Sequence, residues 1–174
     1  YAQLLIAREN SAPDSGFVLA VKGGHNGENH NHIDVGEFLI FANGEPVIVD
    51  PGRGEYRREN FSDRRYDIWW NAAAGHDILQ FGKHQQALGR ESKAETINFT
   101  SNEDLVSLEF DLTKTFNPNS GVVWKRKYSL SRTEKMITIV DDFSLKNPEE
   151  IVMPLYTIQK FTLSDNSVLF MVPG

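Results

Sequence analysis

Cysteine is absent from the 174 residues, so there is no disulfide framework and no redox compartment to infer from thiol usage. No stretch approaches the roughly 18 apolar residues of a membrane span, which excludes a membrane-crossing helix. Positive charge is not in excess either: 18 Lys plus Arg stand against 24 Asp plus Glu, for a formal net charge of −6. That removes the bulk electrostatic reason to expect nucleic acid or an anionic membrane as partner. An acidic sugar stays open, because a local pocket can oppose the overall sign. Internal repeats, low-complexity tracts and amphipathic helices of about 11 residues or more are missing as well. There is no initial Met and no signal segment, and the final apolar run, residues 168–172, reads as a strand stopping almost at the chain end. Both termini are therefore expected to be cut from something longer.

What remains is a chain long enough for one domain, residues 1–174, with a sizeable core. Hydrophobic residues make up 40% and charged residues 24%, ordinary for a soluble globular protein. Period-2 patterning dominates. Apolar runs at residues 4–7 and 17–21 flank a turn-rich segment, and residues 38–41 and 47–49 flank Asn43–Gly44, a hairpin signal. Further on, Val106, Leu108, Phe110 and Leu112 alternate with polar residues. Val122, Trp124 and Tyr128 share one phase of the next run, opposite Lys125 and Lys127. Runs at 136–140, 151–156 and 168–172 complete the pattern. Many short strands with turn-rich separators predict an all-β antiparallel sandwich.

Chemistry concentrates in the first half. His25, His30 and His32 fall within eight positions, and the neighbours of the last two are Asn, Glu and Asp rather than apolar residues. On an extended backbone two His separated by one residue point to the same side and can meet one ion or one substrate. Asp50 ends the run at 47–49 and precedes Pro51–Gly52; it either caps a turn or, returned by the hairpin, becomes a third ligand. His76, after the aromatic segment, is a fourth candidate. His32, Asp50 and His76, with water or substrate completing the shell, make a reasonable zinc site, although spacing alone does not choose among the five His. A rival set is His30, His32 and Glu37, which with Gly24 and Gly44 fits the first metal motif of a cupin barrel. The second half of that signature is missing around His76 and His84.

Arg53, Arg57, Arg58, Arg64 and Arg65 form the densest basic group, suited to carboxylate or sulfate oxygens or to pairing with Asp63, Asp67 and the acids among them. Tyr56, Trp69 and Trp70 either stack on sugar rings or form a small core sealing the metal site. His25 and His84 read as hydrogen-bonded loop residues.

Taken together, Gly23–Gly24–His25–Asn26, His30–Asn31–His32–Ile33–Asp34–Val35–Gly36, Val49–Asp50–Pro51–Gly52, Phe61–Ser62–Asp63–Arg64–Arg65–Tyr66 and Ile68–Trp69 resemble the heparinase II/III-like family of polysaccharide lyases. The resemblance implies a β-sandwich of the supersandwich kind, here without the N-terminal α/α toroid that accompanies it in cis. It implies Zn²⁺, usually regarded as structural, on His32, Asp50 and His76, and a cleft histidine contributing to catalysis at His30. The reaction implied is β-elimination in a uronate-containing acidic polysaccharide, in the periplasm or outside the cell, with the principal catalytic Tyr on the toroid. This chain alone is then inactive. Asp77 stands where the family commonly has Asn. The two competing readings are the cupin-like metalloenzyme and a non-catalytic structural or carbohydrate-binding module.

Overall fold

The structure is a computed structural model and describes residues 2–172. Its first sheet is built from β1 (Leu4–Arg8), β2 (Phe17–Lys22), β4 (Phe38–Ala42) and β5 (Glu45–Ile48), in the order β1-β2-β4-β5. The short β3 (His25–Asn26) branches off between β2 and β4. All pairings are antiparallel. The Asn43–Gly44 turn joins β4 to β5 with φ of 52° and 81°, the doubly left-handed geometry that matches strand twist and that Asn and Gly tolerate best.

Beyond the site segment come β6 (Gln80–Phe81), β7 (Gly89–Lys93), β8 (Glu95–Ser101), β9 (Leu105–Asp111), β10 (Val123–Ser131) and β11 (Met136–Ser144). The last four make a second antiparallel sheet in the order β11-β10-β9-β8. β12 (Ile151–Val152) pairs with β6, β13 (Lys160–Ser164) with β14 (Ser167–Met171), and β3 with β7. Among the described residues the only helices are 3₁₀ turns of three or four residues. The architecture is all-β, a sandwich-like stack of antiparallel sheets.

The alternation in β9 and β10 does what period 2 requires. Val106, Leu108 and Phe110 of β9, with Trp124, Tyr128 and Leu130 of β10, are buried in one cluster with Leu19, Val21 and Phe38 of the first sheet. Phe38 and Phe110 meet the Tyr128 ring edge-on at 6.3 and 5.9 Å. Arg126 lies on the same buried phase, with no exposed surface. Its charge is satisfied on every side. Asp141 of β11 takes two hydrogen bonds, the carbonyls of Gly36 and Asp77 take one each, and the rings of Phe38 and Trp124 lie 5.5 and 4.9 Å away.

Gly36 is fitted to this core. Its φ is 96°, and a Cβ there would come within 2.8 Å of the Leu112 side chain. Its carbonyl also accepts the Tyr128 hydroxyl at 2.6 Å, so the bend before β4 is tied directly to the second sheet.

Two expectations need correction. The run at 151–156 pairs only at Ile151 and Val152, the rest being a connection whose backbone serves the site. His30 and His32 do not share one extended stretch of backbone: His30 sits in a turn with φ 59°.

Candidate metal centre

Three stretches converge on His76. The first is the β2–β4 connection, carrying His30, His32, Asp34 and Glu37. The second is the residue pair after β5, where the hairpin delivers Asp50. The third is the 3₁₀ turn Ala73–Gly75, after which His76 enters extended backbone. The turn needs Gly75, because a Cβ would come within 2.5 Å of the Trp69 carbonyl oxygen.

His76 is completely buried. Its Nδ1 faces Asp50 Oδ2 at 2.9 Å and Glu37 Oε1 at 3.1 Å. The His32 ring lies 5.2 Å from the His76 ring. One nitrogen from each of these histidines and one Asp50 oxygen lie within 4.8 Å of one another, and so do ligand atoms of Asp34, Glu37 and His76. The first of these sets is the predicted one. In the second, Asp34 is committed elsewhere, since Lys22 Nζ binds both of its oxygens at 2.5 and 2.7 Å. Asp50 Oδ1 accepts from the Gly52 amide, so the turn-capping role is also filled, by the oxygen that faces away from His76.

The electrostatics describe a proton-loaded site. Burial opposes charge on His76, but the Asp50 and Glu37 carboxylates outweigh it and push the group up to about 10. Burial drives Glu37 up to about 8. Burial also opposes charge on Asp50, yet the hydrogen bonds from His76 and Glu37, with a smaller one from the Gly52 amide, hold it below the usual carboxylate range. His32 is lowered by burial and by the neighbouring His76. A divalent ion can take the place of the proton that Nδ1 otherwise holds between two carboxylates. The His₂-carboxylate donor set suits zinc, whose tetrahedral shell puts neighbouring ligand atoms about 3.3–3.6 Å apart.

Asp77 is fully buried and continues the site. Its Oδ1 accepts the Tyr156 amide at 2.9 Å, while Oδ2 has no partner, and burial raises the carboxyl to about 7. An asparagine would present a donor where Oδ2 stands bare. The Val49 amide donates to the Tyr156 carbonyl at 3.0 Å. The connection after β12 thus ties the Asp50 strand to the His76 turn.

His30 points elsewhere. It is exposed, outside both ligand sets, with its ring edge-on to Phe61 at 6.4 Å. The rival set of His30, His32 and Glu37 is therefore not assembled. Phe61 stacks on Tyr56 at 5.6 Å, and Arg53 lies over Tyr56 at 4.9 Å. Tyr56, Phe61 and Trp69 are exposed, not a sealed core; only Trp70 turns inward, against Gly54. Of the arginines, Arg64 pairs with Asp67 at the surface, and Arg65 is structural. Arg65 donates twice to the Asn31 carbonyl, at 2.9 and 3.2 Å, and once to that of Asn60. Tyr66 holds the Asn31 side chain at 3.0 Å. The residue between the two histidines is fixed from both ends, which sequence spacing could not reveal. His25 accepts from the Gly27 amide, and His84 lies 3.7 Å from Glu149.

An antiparallel sandwich with a buried histidine–carboxylate centre beside an exposed histidine defines the class. The chain belongs to the heparinase II/III-like C-terminal family, whose model matches residues 6–168. Solved structures agree on the fold. Heparan sulfate lyase HepC from Pedobacter heparinus is 17% identical with a TM-score of 0.65, over 85% of this chain and 22% of that one. A mutant of the same lyase gives 0.68. A heparinase III structure is 18% identical with a TM-score of 0.69, over 95% of this chain and 26% of that one. The chain thus spans about a quarter of the length of the solved structures it matches. No curated protein matches it.

Proposed function

We propose that this chain, one domain over residues 1–174, is the zinc-binding sandwich of a polysaccharide lyase that cleaves a uronate-containing acidic polysaccharide by β-elimination. The observation that carries the reading is the division between two neighbouring histidines within a family-matched segment. His32 turns inward to His76, while His30 stands exposed beside the stacked Tyr56 and Phe61.

In the reaction a base removes the C5 proton of the uronate and the electron pair passes toward its carboxylate. The C4–oxygen bond then breaks, and the leaving oxygen takes up a proton. An exposed imidazole can neutralise the carboxylate or share the proton transfer. His30 is assigned that part; the remaining acid–base work belongs to a toroid domain preceding the sandwich in the same protein. His32, Asp50 and His76 hold the zinc, which when bound supplies rigidity beneath the His30 turn. Arg53, close to the exposed rings, offers a guanidinium to substrate carboxylate or sulfate. Apolar side chains left exposed on β13 and β14, Leu163 and Leu169 among them, are suited to cover by further chain of the same enzyme. Such a lyase works in the periplasm or outside the cell, where it meets its polymer.

The test is performed on the full-length protein with heparan sulfate, heparin and alginate, following the ultraviolet absorbance of the unsaturated uronate. The expected result is absorbance growth with at least one polymer, cut at least about a hundredfold by His30→Ala. Binding to a polymer without any product would instead establish a carbohydrate-binding module, the reading favoured by the exposed Tyr56–Phe61 stack. Undiminished turnover in His30→Ala would remove His30 from the chemistry.

A further inference from the structure

We infer that Glu37 is the fourth protein ligand of the zinc, closing its shell. The inference rests on the zinc reading above and goes beyond its three ligands. Glu37 is 5% exposed, and its carboxylate meets no Lys or Arg; it faces His76 and lies beside the Asp50 carboxylate. Asp50 occupies the same nitrogen. Two carboxylates therefore converge on one buried imidazole, an arrangement that suits a shared cation as well as a shared proton. Buried charge persists only when paired. A divalent cation bound by two neutral imidazoles and two carboxylates brings the centre to zero net charge.

The geometry selects the same arrangement. Asp50 Oδ2 and Glu37 Oε1 lie on the Nδ1 side of His76, at 2.9 and 3.1 Å, so an ion on Nε2 would stand apart from both. Nδ1 is thus the nitrogen that can share an ion with Asp50, and Glu37 is then unavoidably adjacent to it. These separations fall just inside the spacing of a tetrahedral zinc shell, about 3.3–3.6 Å. His32 groups with Asp50 and His76, and Glu37 groups with the same His76, so that imidazole is common to both ligand sets. Asp34 does not compete, being bound by Lys22. Four protein ligands leave no position for water or substrate, which is the mark of a structural rather than a catalytic zinc. Glu37 also directly follows Gly36, whose carbonyl is held by Arg126 and Tyr128. The ligand is thereby anchored to the second sheet.

Cobalt(II) loaded into the metal-stripped full-length protein reports coordination directly, without any activity assay. Wild type is expected to give the intense visible absorption of four-coordinate cobalt, unmoved by added azide because no position is open. Glu37→Gln is expected to bind cobalt at least about tenfold more weakly and to become azide-sensitive. His30→Ala is expected to behave as wild type. An azide-sensitive wild-type spectrum, or unchanged affinity and spectrum in Glu37→Gln, overturns the fourth ligand while leaving the zinc site standing. Failure of the wild type to bind either cobalt or zinc overturns the zinc reading itself. Should Glu37→Gln not fold, the azide response of the wild type decides alone.

Discussion

Arg126 and Asp141 form a side-on ion pair across β10 and β11, Nε to Oδ1 at 2.7 Å and Nη2 to Oδ2 at 2.9 Å, with the arginine side chain fully buried and the aspartate 17% exposed. The asymmetry of exposure decides what each partner is worth. Asp141→Ala strands a buried guanidinium and is expected to cost about 3–5 kcal/mol. Arg126→Met leaves a carboxylate that can still reach water and the Trp124 indole, 2.6 Å away, and is expected to cost about half as much. Urea unfolding of the two variants checks the order. Equal losses would show that the pair is not governed by the burial of Arg126.

The same residue shows where the sequence stops being legible. Period 2 in β9 and β10 exposes the core phase, because Trp124, Tyr128 and Leu130 alternate with Lys125, Lys127, Ser129 and Ser131. Arg126 occupies that phase, and nothing local distinguishes an inward arginine from an outward lysine. The partners that satisfy it come from Gly36, Asp77 and Asp141, all distant in sequence. β8 and β13 lack a buried face and so carry no clean alternation to read. In the site, a hairpin at Asn43–Gly44 was enough to bring Asp50 back toward His32. The left-handed turn at His30, which sends two nearby histidines in different directions, depends on contacts with Arg65 and Phe61 that no spacing encodes.

That division of direction separates the two histidines experimentally. His30 has φ 59°, a conformation that glycine adopts without strain, and its ring is exposed. His30→Gly is therefore expected to leave thermal stability of the zinc-loaded protein within about 0.5 kcal/mol. His32→Ala removes a proposed zinc ligand, and is expected to lower stability by about 2 kcal/mol or more in saturating zinc and by far less after chelation. Scanning calorimetry with and without chelator reads both. Equal losses in the two variants would sink the assignment.

Arg65 is expected to act on the metal without touching it. Its bonds to the carbonyls of Asn31 and Asn60 lock the turn that presents His32. Arg65→Ala should speed amide exchange across residues 28–33 and weaken zinc about tenfold. Arg65→Lys should recover little, since one ammonium cannot reproduce a planar fork spanning two carbonyls. Full recovery by lysine would reduce the role of Arg65 to its charge.

The metal-free and zinc-loaded proteins should respond to pH in opposite directions. Without metal, His76 is raised to about 10 by Asp50 and Glu37 against the opposing effect of burial. Its contribution is whole below the ordinary histidine value and is lost as pH rises through about 10. Glu37, raised by burial from 4.5 to about 8, and Asp77, raised from 3.8 to about 7, add to the same slope: the folded chain keeps protons that the unfolded chain releases. Asp50 works the other way, its contribution being present above 3.8 and lost as pH falls below it. Stability of the chelated protein should therefore peak near pH 4–5 and fall steadily toward about pH 9. Zinc must displace the same protons, so its affinity should climb about tenfold per pH unit for each proton released. Its stabilisation is then largest where the metal-free protein is weakest. Urea midpoints at about pH 5, 7 and 9, with chelator and with zinc, test both slopes. A chelated protein that grows more stable toward alkaline pH would mean that His76 does not carry the proton assigned to it.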